Sequence, residues 1–168
     1  MDDRIWTTQA PVPGTTLALR QCTLECLPPQ GAALMSGALD RALAHLAPGA
    51  PLLGLLETQP ATGPFALRIA RDRALLCTPA PLGQQGWHDG WALSAADDAY
   101  VALHVSGPAA ADLQAACMAP YQASPSAMVK FAGQYALLSR SATGFIARVE
   151  AAHSAEIIHY LQLVADNI

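Results

Sequence analysis

The sequence predicts an α+β domain with a mostly antiparallel sheet and about four helices. Three observations carry that prediction. Short alternating apolar runs come in pairs across brief polar turns, as hairpins do. Between them lie stretches with leucine at helical spacing. The order strand-helix-strand-strand-helix is approximated twice, over residues 16–95 and 99–166, which fits two ferredoxin-like halves within one domain spanning 1–168.

Each element has a local reason. Residues 16–27 alternate well enough for one strand, with Leu17, Leu19 and Gln21 on a common face. After "LPPQG", Leu39, Leu43 and Leu46 give residues 36–47 a helical stripe, which Pro48-Gly49 ends. Proline and glycine fill much of 48–64, and "FALRIARDRALLCTP" then reads as two strands folded over Arg71-Asp72-Arg73. Residues 80–90, running into "GWHDGW", read as a loop with one helical turn. The second half predicts a strand over 99–105, a helix over 108–118, a long loop, strands near 134–140 and 144–150 across "SATG", and a closing helix over 154–165. In that last helix Ser154 is placed to cap, Glu156 lies near the positive end, and Ile157, Leu161 and Val164 form the apolar stripe.

Charge and cysteine content exclude several classes. Nine Lys plus Arg stand against thirteen Asp plus Glu, so the net charge of −4 leaves no electrostatic footprint for nucleic acid or an anionic membrane. The start, "MDDRIWTTQAPVPG", is acidic without an apolar centre, which argues against a secretory signal, and no run of about 20 apolar residues reads as a membrane span. Cys22, Cys26, Cys77 and Cys117 are too scattered for a disulfide framework, so a reduced, cytoplasmic setting is expected. Only 13% of residues are charged while 52% are hydrophobic, which favours a subunit or a homo-oligomer over an isolated monomer.

Motifs with chemistry are sparse. A strand that ends in Ser106-Gly107-Pro108 and opens a helix is where phosphates are held, with Ser106 and Gly107 as the contacting residues. One glycine followed by proline and alanines lacks the remaining fingerprint, so the turn reads as structural punctuation, with Pro108 at the first helical position. His153, Glu156 and His159 are spaced H-x-x-E-x-x-H, which rotates the three side chains round a helix rather than stacking them for a metal. His104 lies on the strand face opposite Val101, Leu103 and Val105 and reads as a half-exposed or hydrogen-bonded polar group. His88-Asp89 resembles an orienting acid–histidine pair, although a glycine-rich turn would point the two apart. Trp87 and Trp91 offer flat faces for a partner or a heteroaromatic ligand, against simple core packing. Cys117 reads as a buried, inert thiol, and Lys130, the only lysine, has no defined environment. No serine sits in a G-x-S-x-G elbow.

The succession "RIARDRALLCTPAPL", "GWALSAADDAYVALHVSGPAAADLQAACMAP" and "VKFAGQYALLSRSATGFIARVEAAHSAEIIHYLQLVAD" resembles the gamma subunit of heterotetrameric sarcosine oxidase, within the wider group of the folate-binding glycine-cleavage T-protein. Ser106, Gly107, Pro108 and Leu113 match the family's strand-to-helix corner, and Gly144-Phe145 with Tyr160-Leu161 match its last strand and helix. The hairpin turn that in the family reads Leu-Gly-Pro-Asp-Glu-Trp-Leu is here Ile69 to Leu75, which keeps the acid and loses the rest, as in a divergent member. The resemblance implies a T-protein-like folate-binding-domain fold. It further implies a non-catalytic accessory subunit of a flavin-dependent amine-oxidising complex, with flavin and NAD held by larger partner subunits and no turnover by this chain alone. The alternative it implies is a stand-alone tetrahydrofolate-binding, aminomethyltransferase-like protein. That reading needs a pterin pocket with a nearby acid, for which Asp97, Asp98 and Asp89 are the candidates, with Trp87, Ser106 and Gly107 as further contacts.

Overall fold

The computed structural model describes residues 11–118 and 124–168. The chain begins with a hairpin, β1 (Thr16–Leu19) and β2 (Cys22–Cys26), followed by β3 (Gly31–Gly37), α1 (Leu39–Leu46) and the short β4 (Leu52–Leu53). Next come β5 (Phe65–Ala70), β6 (Arg73–Thr78), β7 (Gly86–His88) and β8 (Trp91–Ala95). The remainder is β9 (Tyr100–Ser106), α2 (Ala110–Cys117), β10 (Met128–Phe131), β11 (Gln134–Arg140), β12 (Gly144–Glu150), a 3-10 turn (Ala151–His153) and α3 (Ser154–Ala165).

Two six-stranded sheets result, ordered β1-β2-β9-β12-β11-β10 and β4-β5-β6-β3-β8-β7, antiparallel except for the β4–β5 pair. The fold is therefore α+β as expected, with three α-helices among the described residues rather than about four.

Three apolar clusters show how the layers stack. Ala110, Leu113, Ile157 and Leu161 of α2 and α3 pack on Leu103, Val105, Phe145 and Val149 of the first sheet. Leu39, Ala42 and Leu43 of α1 pack on Met35, Leu76 and Trp91 of the second. Leu67, Leu75 and Cys77 of the second sheet then meet Leu137 of the first. The order is helices, sheet, sheet, helix, and the central strands are covered on both faces.

Within each sheet four strands follow the ferredoxin-like order. In the second sheet it is β5-β6-β3-β8, with α1 as the single covering helix. In the first it is β11-β12-β9-β2, so the strand that completes the C-terminal unit comes from the start of the chain. The N-terminal hairpin thus joins the sheet of the other half. That differs from the sequence reading, in which residues 16–27 open the first half as one strand. Gln21 breaks that run by adopting φ 60, a left-handed conformation unusual for a residue with a side chain, and the chain folds back there. The strand that does open the first half is β3, which lies between "LPPQG" and the helical stripe and takes Ser36 and Gly37 from the helix expected over 36–47.

Other boundaries moved for local reasons. Helix α1 begins at Leu39 because Ser36 and Gly37 belong to β3. Helix α2 begins at Ala110, so Pro108 lies in the turn rather than at its first position. Residues 86–95 form a hairpin, which takes 86–90 from the loop with a helical turn expected over 80–90, and β10 occupies part of the expected long loop. Ser154 does not cap α3: its hydroxyl donates to the Ala151 carbonyl at 2.7 Å, and His153 holds the cap position. The bounds of α3 agree with the sequence reading, although Ala165 rather than Val164 completes its buried stripe.

Candidate functional site

The strand-to-helix corner at Ser106-Gly107-Pro108 is packed against protein. Gly107 takes φ +120, and a Cβ there would lie 2.7 Å from the Gln21 carbonyl oxygen and 3.1 Å from Cys22 Cα. The Ala109 N–H donates to that same carbonyl at 3.4 Å. A side chain at Gly107 would meet the β1–β2 turn, so the glycine is required by the packing of this corner.

The tryptophans part company. Trp91 is 5% exposed and stacks on His88 at 3.9 Å between centroids and 14° between planes, with His45 also nearby. Trp87 is 79% exposed. They form no joint platform, because adjacent strands of a two-residue hairpin place Trp87 and Trp91 on opposite faces. Asp89 turns away from His88 and pairs with Arg41 at 3.4 Å on the surface, so the suspected acid–histidine pair does not form. His104 is half-buried, with Nε2 within 2.9 Å of Ser141 Oγ and Nδ1 3.8 Å from Glu25, as a hydrogen-bonded strand histidine should be.

On the last helix, His153 lies 3.9 Å from Glu156 while His159 is exposed, and no metal-type cluster of three ligands occurs among the described residues. Burial pushes the Cys117 thiol up to about 11, in keeping with an inert side chain. Lys130 is exposed on β10, and Asp98 is exposed in the loop before β9.

The remaining predicted residue, Asp97, leads to a site that the sequence reading missed. Its Oδ1 accepts the Ala32 N–H at 2.8 Å, which fixes the carboxylate at the start of β3. It lines a cavity of about 80 Å³ where the two sheets meet, together with Cys77 of β6, Tyr100 and Ala102 of β9, Pro28, Pro29 and Arg148 of β12.

Arg148 is the unusual member, being only 3% exposed. Its Nη1 donates to Gln59 Oε1 at 3.0 Å and to Ser139 Oγ at 3.4 Å, and its guanidinium carbon lies 5.0 Å from the centre of the Phe65 ring. Its Nη2 is buried with no hydrogen-bond partner among the described residues. Burial pulls the pKa of the guanidinium down from its ordinary value, while the adjacent Cys77 acts in the opposite direction. Burial likewise pushes the Cys77 thiol up, against the pull of Arg148.

One signal in the sequence could have found Arg148. In "GFIARVE" it is the one charge inside the strand, Glu150 standing at its exposed end, and the odd and even positions before it are both apolar, the pattern of a strand covered on both faces.

No family model matches the sequence, and no curated protein matches it. A fold of two stacked antiparallel sheets, helix-covered on both outer faces, is the class of protein that the chain represents. Among solved structures it is similar to one chain of the heterotetrameric sarcosine oxidase from Corynebacterium sp. U-96, determined in complex with pyrrole 2-carboxylate, with a TM-score of 0.70 at 18% identity. The match covers 90% of this chain and 88% of that one, so the two are nearly equal in length. At the level of fold, the resemblance read from the sequence is borne out. No helix among the described residues is long and apolar enough to cross a membrane.

Proposed function

We propose that this chain is a non-catalytic accessory subunit of a sarcosine-oxidase-like, flavin-dependent amine-oxidising complex. The observation that carries the reading is the fold shared, along nearly the whole of both chains, with a component of a heterotetrameric sarcosine oxidase. In this reading larger partners hold the flavin and NAD, and this chain contributes surface. Exposed large side chains support it: Trp87, Tyr135, Tyr160 and Leu163 stand out on a chain with few charges, and aromatic residues of this kind anchor protein interfaces.

The test is affinity purification of the tagged chain from its own source cells, with an absorption spectrum of the product. Stoichiometric recovery of larger, yellow subunits is expected, with amine oxidation by the complex and none by the isolated chain. Turnover by the isolated chain would overturn the proposal. So would recovery of the chain alone and colourless, and a tight tetrahydrofolate complex of that lone chain would put the folate-binding reading in its place.

A further inference from the structure

We propose that Ser141 is an activated nucleophile and an acylation site of this chain, taking the acyl group of a small activated ester with His104 as the base that receives its proton. The chemistry is separate from amine oxidation, and the proposal stands or falls apart from the subunit reading.

Three distant segments meet there. Strand pairing sets Glu25 of β2 directly opposite His104 of β9. Leu103 and Val105, on either side, belong to the cluster under α2 and α3, so His104 points to the other face of the sheet. Ser141 follows the end of β11 in the turn to β12, and its Oγ lies 2.9 Å from His104 Nε2. Glu25 Oε2 lies 3.8 Å from Nδ1, the other ring nitrogen. Hydroxyl, imidazole and carboxylate in that order are what an activated serine requires, and the arrangement is recognised by geometry rather than by sequence position.

Each contact has a chemical consequence. A carboxylate on the Nδ1 side favours the tautomer with its proton there, which leaves Nε2 to accept the Ser141 O–H. The same charge stabilises the imidazolium that forms when the proton moves. The Thr143 N–H donates to Ser141 Oγ at 3.4 Å and supports the negative charge that develops there. The N–H of Ala142, the residue after the nucleophile, donates to no acceptor among the described residues, so it can serve the oxygen of a tetrahedral adduct. Access is open: Ala142 and Thr143 are exposed, and the His104 side chain is 18% exposed. An open turn of this kind suits a small ester, since a long acyl chain needs an apolar channel.

In the step, Ser141 Oγ bonds to the acyl carbon and its proton passes to His104 Nε2. The ester C–O bond breaks, its electron pair leaving with the alcohol or phenol oxygen, and the imidazolium then returns its proton to that oxygen or to water.

The experiment mixes the full chain with p-nitrophenyl acetate, follows p-nitrophenolate by absorbance and locates the acetyl group by peptide mass spectrometry. A burst of about one p-nitrophenolate per chain is expected, with the acetyl group on Ser141. Ser141→Ala should abolish the burst. His104→Gln keeps a hydrogen-bonding side chain but no base, and should slow the burst by about 10²–10⁴-fold. Glu25→Gln should slow it with Ser141 still the acetylated residue. Wild-type protein without a burst overturns the proposal, as does an acetyl group found on Lys130 or the terminal amine in place of Ser141. A burst that survives Ser141→Ala overturns it also, even if His104→Gln does not fold.

Discussion

Gly107→Ala tests the assignment of the Ser106-Gly107-Pro108 corner to architecture. The native φ of +120 lies where side-chain-bearing residues are rarely found, and holding alanine there costs about 1–3 kcal/mol. The new Cβ would also meet the Gln21 carbonyl oxygen at 2.7 Å, about 0.7 Å inside the ordinary 3.4 Å contact, so backbone must move. What has to move is held on both sides, since β2 pairs with β9 from Thr23↔Ser106 to Cys26↔Leu103 and the Ala109 N–H donates to Gln21. Strain and displacement together predict a loss of about 2–4 kcal/mol, at the upper end of single substitutions. In thermal terms that is a midpoint lowered by roughly 5–15 °C. Urea unfolding followed by circular dichroism, with and without phosphate, measures both readings at once. A loss below about 1 kcal/mol, or a wild-type stabilisation by phosphate that the variant lacks, would refute the architectural assignment and restore the anion cradle.

Leu113→Ala, at a position with no exposure where α2 meets the first sheet, should cost about 2–5 kcal/mol in the same assay. Trp87→Ala should leave stability within about 0.5 kcal/mol, because the ring is 79% exposed, yet should lower the recovery of partner subunits in the affinity purification. Cys117 sets a sign for alkaline pH: its folded pKa of about 11 lies above the ordinary value of 9.0. Between those values the unfolded chain has released a proton that the folded chain keeps, so this group makes stability fall as pH rises through that window. Cys117→Ala should flatten that part of the profile when unfolding midpoints are compared from pH 8 to about 11.

Where one face of an element is wet, its pattern was legible. Helix α3 alternates buried Ile157 and Leu161 with exposed Glu156, His159 and Tyr160, and its bounds were read correctly. The β5–β6 and β11–β12 hairpins were read as hairpins. Strand β3 was lost for the opposite reason. It lies between β6 and β8, with Ala33 and Met35 packed toward α1 and Ala32 and Leu34 toward the other sheet. Coverage on both faces removes the apolar–polar alternation, and "GAALMSG" is then left with residues that favour helices. The β7–β8 hairpin does carry a local signal. Asp89-Gly90, with Gly90 at φ +79, is the strongest two-residue hairpin signal a sequence offers, set here in a short glycine-rich stretch that also reads as a loop.

The site was hidden by the same double coverage. Phe145, Ala147 and Val149 of β12 face the helices, which leaves Ile146 and Arg148 on the inter-sheet side. Had β12 been an ordinary hairpin strand with one wet face, Arg148 would have reached solvent and required no explanation. Only the second sheet, bringing Phe65 and Cys77 over that face, turns an unremarkable surface cation into a buried one. The N-terminal hairpin closes the first sheet beside it, so the cavity is walled by β2, β3, β6, β9 and β12, elements from both ends and the middle of the chain. A wall assembled from such distant segments has no local motif, which is why scanning for spaced ligands or phosphate loops could not find it. Its one local trace is an arginine inside a strand whose pattern leaves no wet face.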